Sequence, residues 1–170
     1  KVTNENIDKE HICCAISNNN DIQVSSKKEW LKEQFREGLV FLKSVERGKC
    51  FIEYLPAENA WNPIAADGYM YIDCLWVAGS FKGHGYGADL LDACMEDSKS
   101  KGKKGLCILS SGKKKPFLSD PKFLRYKGFK VCDEADNGIQ LWYLPFAADA
   151  PLPEFKECAR HPHIAEKGYV

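Results

Sequence analysis

The sequence predicts an α+β domain: a mixed, mostly antiparallel central sheet with helices on both faces. Three features point there. Strand pairs of hairpin character stand near both ends of the chain, at 39–55 and 129–146. Between them, "YMYIDCLWVAG" (69–79) carries bulky side chains at both alternating positions, as a strand covered on two sides must. That strand runs through a glycine turn into an apolar-periodic helix, so helical and strand periods alternate without an internal repeat.

Taken in order, "HICCAIS" (11–17) is short and apolar, with the turn-like "SNNND" after it, and reads as a strand. A helix is expected over about 27–37. Ser26 serves as its N-cap with Glu29 three residues on, Trp30, Leu31 and Phe35 share a face, and Gly38 closes it. "LVFLKSV" (39–45) and "KCFIEYL" (49–55) form a hairpin through "ERG". Residues 56–68, with two prolines, a glycine and Trp61, read as a loop that leans on the core.

A helix over roughly 84–100 carries Tyr86, Leu90, Leu91, Cys94 and Met95 at helical spacing and ends in a basic run. "LCILSS" (106–111) is a strand. "DPKFLRYKG" (120–128), with an Asp cap, proline at the first helical position and a closing glycine, is a short helix. The last hairpin, "FKVCDE" and "IQLWYLPF", turns on "ADNG". The domain is therefore drawn at 1–146, with 147–170 as a tail or the start of a truncated second module.

Composition narrows the function classes. The 170 residues are 44% hydrophobic, and 24 basic side chains balance 24 acidic ones. A chain without basic excess is a poor general binder of nucleic acid or membrane surface, so neither is expected as a partner. Eight cysteines, none in a C-x-x-C pair and most within apolar runs, indicate free thiols in a reducing, cytoplasmic setting. No signal peptide or membrane-length apolar run is visible. Because the chain starts at Lys1, a removed leader is left open.

The chemistry concentrates in "FKGHGYGADLL" (81–91). Glycine is unfavourable where a helix starts unless bare backbone is useful. Gly83, Gly85 and Gly87 alternate with His84 and Tyr86, directly before Leu90 and Leu91. Helix N-termini present N–H groups and the positive end of the macrodipole, and removing side chains lets a phosphate approach. The stretch thus reads as a pyrophosphate cradle with the Lys82 charge beside it. The spacing fits neither a dinucleotide-binding fingerprint nor a Walker loop.

Lys82-Gly83-His84-Gly85-Tyr86-Gly87 resembles the [RQ]-x-x-G-x-[GA] signature of the GCN5-related N-acetyltransferase (GNAT) family, with Lys82 in place of arginine or glutamine. "IDCLWVAGSFKGHGYGADLL" resembles the family's strand–turn–helix, and "RYKGF" its C-terminal motif. The resemblance covers residues 11 to about 146. The stretches 113–146 and 156–170 also resemble a bacterial subgroup in which a small cysteine-containing module follows.

The resemblance implies acetyl-CoA as cosubstrate and a primary amine, on a small molecule or peptide, as acceptor. Its pantetheine arm would pair with the backbone of Leu75, Trp76 and Val77. Its pyrophosphate would meet the N–H groups from Lys82 through Ala88. For the base, Tyr71 stands where some relatives keep a glutamate, Asp73 is the nearest carboxylate, and Glu53 is a further candidate. Strand alternation would place Tyr71, Asp73, Leu75 and Val77 on one face. Leu124 occupies the place of the family's general-acid tyrosine. Tyr126, about 200° around a helix of 3.6 residues per turn, is the remaining tyrosine, and Ser111 is another candidate acid. The acceptor pocket is expected between the first helix, the 56–68 loop and the 111–119 loop, with Trp61 and Trp76 lining or supporting it.

The alternative implied by Leu124 is a catalytically weak acyl-CoA-binding or sensor module. Three further signals stay secondary. Lys113, Lys114 and Lys115 are a solvated basic loop or a contact for the 3′-phosphate. Cys158, His161 and His163 have partial zinc spacing, though no metal is expected. Cys13 and Cys14 point to opposite faces of a strand. Homodimerisation is left open.

Overall fold

The computed structural model describes residues 1–44, 50–79 and 82–160. The expected turn at 46–48, Phe81, and the ligand candidates His161 and His163 lie outside the described residues.

Six strands form one sheet in the order β1-β2-β4-β5-β7-β6. They are β1 (Val40–Lys43), β2 (Cys50–Pro56), β4 (Tyr69–Val77), β5 (Gly105–Ser111), β6 (Lys130–Glu134) and β7 (Ile139–Pro145). Every neighbouring pair is antiparallel except β4 and β5. Strand alternation divides the interior into two cores. Phe41, Phe51, Tyr69, Tyr71, Cys107 and Leu141 face one side, where Val24 and Leu31 of helix α1 (Ile22–Gln34) close over them. Ile52, Tyr54, Met70, Ile72, Ile108 and Trp142 face the other. There Leu91 and Cys94 of α2 (Tyr86–Ser100) and Leu124 of α3 (Pro121–Tyr126) cover them. Helices on both faces are what the sequence predicts.

Two expectations fail, each for a local reason. Residues 11–17 are irregular rather than a strand. The edge beside β1 is met by Val2, whose N–H bonds the Phe41 carbonyl at 2.8 Å. The run instead crosses the α1-side core, burying Ile12 and packing Ile16 against it. It makes bonds to itself: the Ile16 N–H points to Cys13 Sγ at 3.4 Å and a His11 ring nitrogen to the Cys13 carbonyl at 2.8 Å. Helix α1 starts five residues early. Its cap is Asp21, whose carboxylate accepts from the Gln23 N–H at 2.8 Å, and the expected cap Ser26 lies inside the helix. A carboxylate suits the positive end of the helix better than a neutral hydroxyl. Gly38, at φ +91°, ends the turn after α1 as expected.

Helix α3 follows its sequence signals: Asp120 accepts from the Lys122 N–H at 2.9 Å and Pro121 opens the first turn. The segment from 147 packs on the domain. Strand β8 (Glu154–Phe155) pairs with β3 (Ile64–Ala65), and Phe155 is buried in the α1-side core. Arg160, in α4 (Glu157–Arg160), bonds the Asp133 carboxylate at 2.9 Å.

Candidate active site

Strands β4 and β5 part company halfway along. They are paired from Tyr69–Gly105 to Ile72–Ile108, and beyond that point β5 continues only against β7. The segment Asp73–Val77 therefore keeps β2 as its one sheet neighbour. A cavity of about 200 Å³ sits at this fork, lined by Ile72 to Trp76 of β4, Ile108 and Leu109 of β5, Cys14, Asn62, Tyr71 and residues 117–119.

A β-bulge shapes the fork. Glu53 pairs with Cys74 and Tyr54 with Ile72, so Asp73 is the extra residue in β4. A bulge resets which face later side chains occupy. Tyr71 thus shares the α1-side face with Cys74 and Trp76, while Leu75 belongs to the α2-side core. Val77 also faces α2, since a Cβ on Gly87 would lie 3.3 Å from its Cγ2. The expected common face for Tyr71, Asp73, Leu75 and Val77 is corrected accordingly: alternation holds only up to the bulge.

Below the fork, the glycines divide their labour. Gly83 and Gly85 both have φ +84°, and among the described residues, their chain neighbours aside, no atom lies within 4 Å of a Cβ placed on either. Only glycine enters this left-handed region without strain, and the space around both is open. Gly85 is the N-cap of α2, and no side chain caps that end. Gly87 serves packing: a Cβ there would press on Val77 and approach Phe123. Lys82, Gly83, His84 and Gly85 are exposed, with Tyr86, Gly87 and Ala88 half-buried behind them. The His84 and Tyr86 rings lie 6.4 Å apart at the lip. This set can present positive potential and backbone donors to an anion.

On the α1 side the fork is lined by ionisable groups. Asp73 stands exposed at the mouth, yet the crowded walls raise its carboxyl pKa, a shift the Lys27 charge partly offsets. Tyr71 is buried and its hydroxyl accepts from Asn62 Nδ2 at 2.7 Å. Burial and the Asp73 charge hold that phenol well above its usual value, so it stays protonated. Glu53 lies fully buried beneath α1, bonded through Oε2 to Lys27 Nζ at 2.7 Å, and Oε1 has no hydrogen-bond partner among the described residues. Its pKa is raised, burial outweighing the lysine's pull. The indole Nε1 of Trp76 is likewise buried without a partner among the described residues.

The loop after β5 is pinned by two hydroxyls. Ser110 Oγ donates to the Ser119 carbonyl at 2.7 Å and Ser111 Oγ to the Lys113 carbonyl at 2.6 Å. Phe117 in that loop is the one non-glycine residue with positive φ (63°) among the described residues, and its ring is 83% exposed beside the cavity. Such strain is characteristic of a functional loop.

Several sequence-predicted residues are not brought to the fork. Tyr126 is 83% exposed on α3 and does not line the cavity. Leu124 points into the α2-side core. Trp61 is 78% exposed and does not line it either. Ser111 is buried with its hydroxyl engaged, and the buried Glu53 sits behind Cys74 rather than in the cavity wall. Lys114 pairs with Asp120 at 3.6 Å. Sequence reasoning missed Asn62, Lys27, Cys14 and Cys74 as site residues. Each comes from a different segment, and no local spacing marks them. Among the described residues no three His, Cys, Asp or Glu side chains gather as metal ligands, and no helix is long and apolar enough to cross a membrane.

Comparison with known proteins bears on this geometry. The acetyltransferase (GNAT) family profile matches residues 5–114. The uncharacterized N-acetyltransferase YoaP of Bacillus subtilis is 45% identical over 169 residues, which is 99% of this chain and 67% of that protein. Two solved folds superpose well. The ribosomal-protein-alanine N-acetyltransferase of Brucella melitensis gives a TM-score of 0.57 at 16% identity, covering 84% of this chain and 89% of that one. YncA of Salmonella typhimurium, solved with its cofactor acetyl-CoA, gives 0.58 at 17% identity, covering 82% and 83%.

Proposed function

The chain belongs to the acetyltransferase (GNAT) family and is an acyl-CoA-dependent N-acetyltransferase; on that premise we propose that it acetylates a primary amine bound in the cavity between Asn62, Tyr71, Asp73 and Phe117. The observation that carries this reading is the fork itself. Backbone groups of Asp73–Val77 on the β5 side have no strand to pair with, and an extended amide-bearing chain can add there as a strand does. The pantetheine arm of acetyl-CoA has that character, so Leu75, Trp76 and Val77 would hold it. Lys82 through its charge, and Gly83, His84, Gly85, Tyr86 and Gly87 through their backbone, would receive the pyrophosphate at the α2 N-terminus; the expected Lys82 and Ala88 N–H donors are already engaged, by the Gly79 carbonyl at 3.3 Å and the Gly85 carbonyl at 2.8 Å.

In the transfer, the amine nitrogen attacks the thioester carbonyl and the sulfur departs as a thiolate. The chain supplies position and proton handling. An alkyl amine, with a pKa of about 10 in water, must be neutral to attack. Asp73 at the mouth accepts the proton, its raised pKa making it a better base than an ordinary carboxylate. The protonated Tyr71 phenol, held by Asn62 on the cavity wall, is a donor available to the ligands. No acid is assigned to the departing sulfur. An ordinary thiol has a pKa of only about 8.5, so the thiolate leaves without one, consistent with Tyr126 on the outer surface.

A screen of amines with acetyl-CoA, read as free CoA released, tests this alongside a CoA-binding titration. Turnover with at least one amine class is expected. CoA binding without turnover across small amines, peptide N-termini and lysines would replace the enzyme reading with a sensor. A CoA-soaked crystal with the fork empty would remove both.

A further inference from the structure

Cys14 and Cys74 come from an irregular segment and a central strand, 60 positions apart in sequence, yet both line the wall of one cavity, and each thiol is the strongest influence on the ionisation of the other. We propose that they form a redox-active dithiol, oxidised by a peroxide to a disulfide that ties segment 11–17 to β4 and blocks the acceptor pocket. The consequence for acetylation rests on the functional reading above; the disulfide itself does not.

Three features separate this pair from the other cysteines. Access comes first. Both residues are half-buried and line the cavity, whereas Cys50, Cys94 and Cys107 are buried in the cores and Cys13, Cys132 and Cys158 do not line it. Electrostatics comes second. The neighbouring Cys74 thiol lowers the Cys14 thiol to about 6, and Lys27 assists against the opposing effect of burial. Burial pushes Cys94 and Cys132 up to about 12. A thiolate beside a cation in a partly open site is the reactive form of cysteine. The ionisable groups around Cys14 and Cys74 are Lys27 from α1, Glu53 from β2 and Tyr71 from β4, with Asp73 of β4 on the same cavity wall. Lys27 is the one cation among these groups, and it adds to the larger effect of Cys74 in favouring the thiolate.

Sequence of events is the third. Cys74 is held well above the ordinary thiol range, first by the neighbouring Cys14 thiol and then by burial. While Cys14 is a thiolate, Cys74 stays protonated. The Cys14 thiolate attacks a peroxide oxygen, the O–O bond breaks, and hydroxide leaves and takes a proton to become water. Cys14 is now a neutral sulfenic acid, and the charge that restrained Cys74 is gone. Cys74 loses its proton and attacks Cys14 Sγ, forming the S–S bond and expelling the oxygen as a second water. Two thiols supply two electrons and the peroxide is fully reduced. A dithiol reductant reverses the bond by exchange.

The test uses the full chain treated with hydrogen peroxide, with peptides mapped without reduction. A 14–74 cross-link is expected, together with at least a tenfold fall in CoA release that dithiothreitol restores. In Cys74→Ser, Cys14 should stop at the sulfenic acid, captured by dimedone. Iodoacetamide labelling of Cys14 in the untreated protein should rise with a midpoint near pH 6, which needs no variant. A cross-link through Cys13 instead, oxidation confined to the exposed Cys158, or a Cys14 labelling midpoint at an ordinary thiol value would each overturn the pair. A 14–74 cross-link that leaves turnover unchanged would overturn its gating of the site. Absence of any acetylation would sink the functional reading while the cross-link map still stands.

Discussion

The two sides of the fork are built by opposite means. On the α2 side, binding groups come from one continuous segment, residues 82–88, and are mostly backbone exposed to solvent. On the α1 side they come from five segments, with Cys14, Lys27, Glu53, Asn62 and β4 meeting only in the folded chain. The first holds its ligand through glycine conformation and a helix end. The second works through buried charges and a bulge. A local device tolerates error elsewhere in the fold, whereas an assembled one fails when any contributor moves.

The largest effect expected from this difference is on the assembled side. In Lys27→Met, Glu53 loses its only cation among the described residues and stays fully buried. Removing one member of a buried pair costs about 3 kcal/mol or more. The pH dependence follows from the direction of the shift. Glu53 already has a raised pKa, and losing Lys27 raises it further. The native variant therefore binds a proton that the unfolded chain has released near neutrality, so stability falls as pH rises above the unfolded carboxyl value. Denaturant unfolding at pH 7 and pH 5 should show the deficit larger at pH 7. An equal deficit at both would mean that Glu53 is not its source.

Next comes Asp73→Asn, which removes the proposed base but leaves the bulge. A fall of about 100-fold in kcat is expected, at the lower end for a lost general base, with CoA affinity unchanged. Wild-type activity should decline as pH falls through the raised Asp73 pKa, because the base becomes protonated. That acidic limb should disappear in the variant. If the limb persists, the base lies elsewhere.

The same contrast accounts for what the sequence makes legible. The glycine turn into α2, α3 with its Asp120 and Pro121, and the terminal hairpin are local patterns, and each stands where its pattern predicts. The resemblance implies a pantetheine arm pairing with the backbone of Leu75, Trp76 and Val77, and that stretch of β4 does lie beyond its pairing with β5. Failures came where a local pattern had a competitor. Asp21 outcompeted Ser26 as a cap, and Val2 took the edge that "HICCAIS" needed to be a strand. The bulge at Asp73 left no mark in the sequence, because it is set by the register of β2 against β4. It nonetheless decides that Cys74, and not Leu75, faces Tyr71 and Cys14. Lys27 and Asn62 were invisible for the same reason: their roles are defined by partners 26 and 9 positions away.

On the local side, Gly85→Ala should cost less. Forcing alanine to φ +84° costs about 1–2 kcal/mol. The N-cap has open space around it, so the chain can relax instead of unfolding. The loss should appear as CoA affinity weakened by roughly tenfold, the equivalent of 1.4 kcal/mol, with the melting temperature little changed. Gly87→Val discriminates between the glycines, since its Cβ meets Val77 at 3.3 Å. There stability should fall along with affinity. Equal behaviour of the two variants in both measurements would erase the distinction between a conformational and a packing glycine.

The smallest effect is expected at Lys82, and it tests whether the cradle depends on charge at all. Lys82 is exposed at the lip, in a place where the family signature carries either arginine or glutamine. A position that accepts a neutral amide cannot rely on full charge for binding, so the backbone N–H groups and the helix end should dominate. An exposed lysine beside a diphosphate contributes at most about 1 kcal/mol, within the range of exposed ion pairs. Lys82→Gln should therefore weaken CoA binding only about two- to fivefold in dilute buffer. The difference should close as salt shortens the screening length to about 3 Å at 1 M. Titrations at low and high salt check this. A loss of more than about tenfold, or one that survives high salt, would mean that the lysine is a desolvated ligand of the phosphate. In that case the α2 side too would depend on a specific buried charge, and the contrast between the two halves of the fork would not hold.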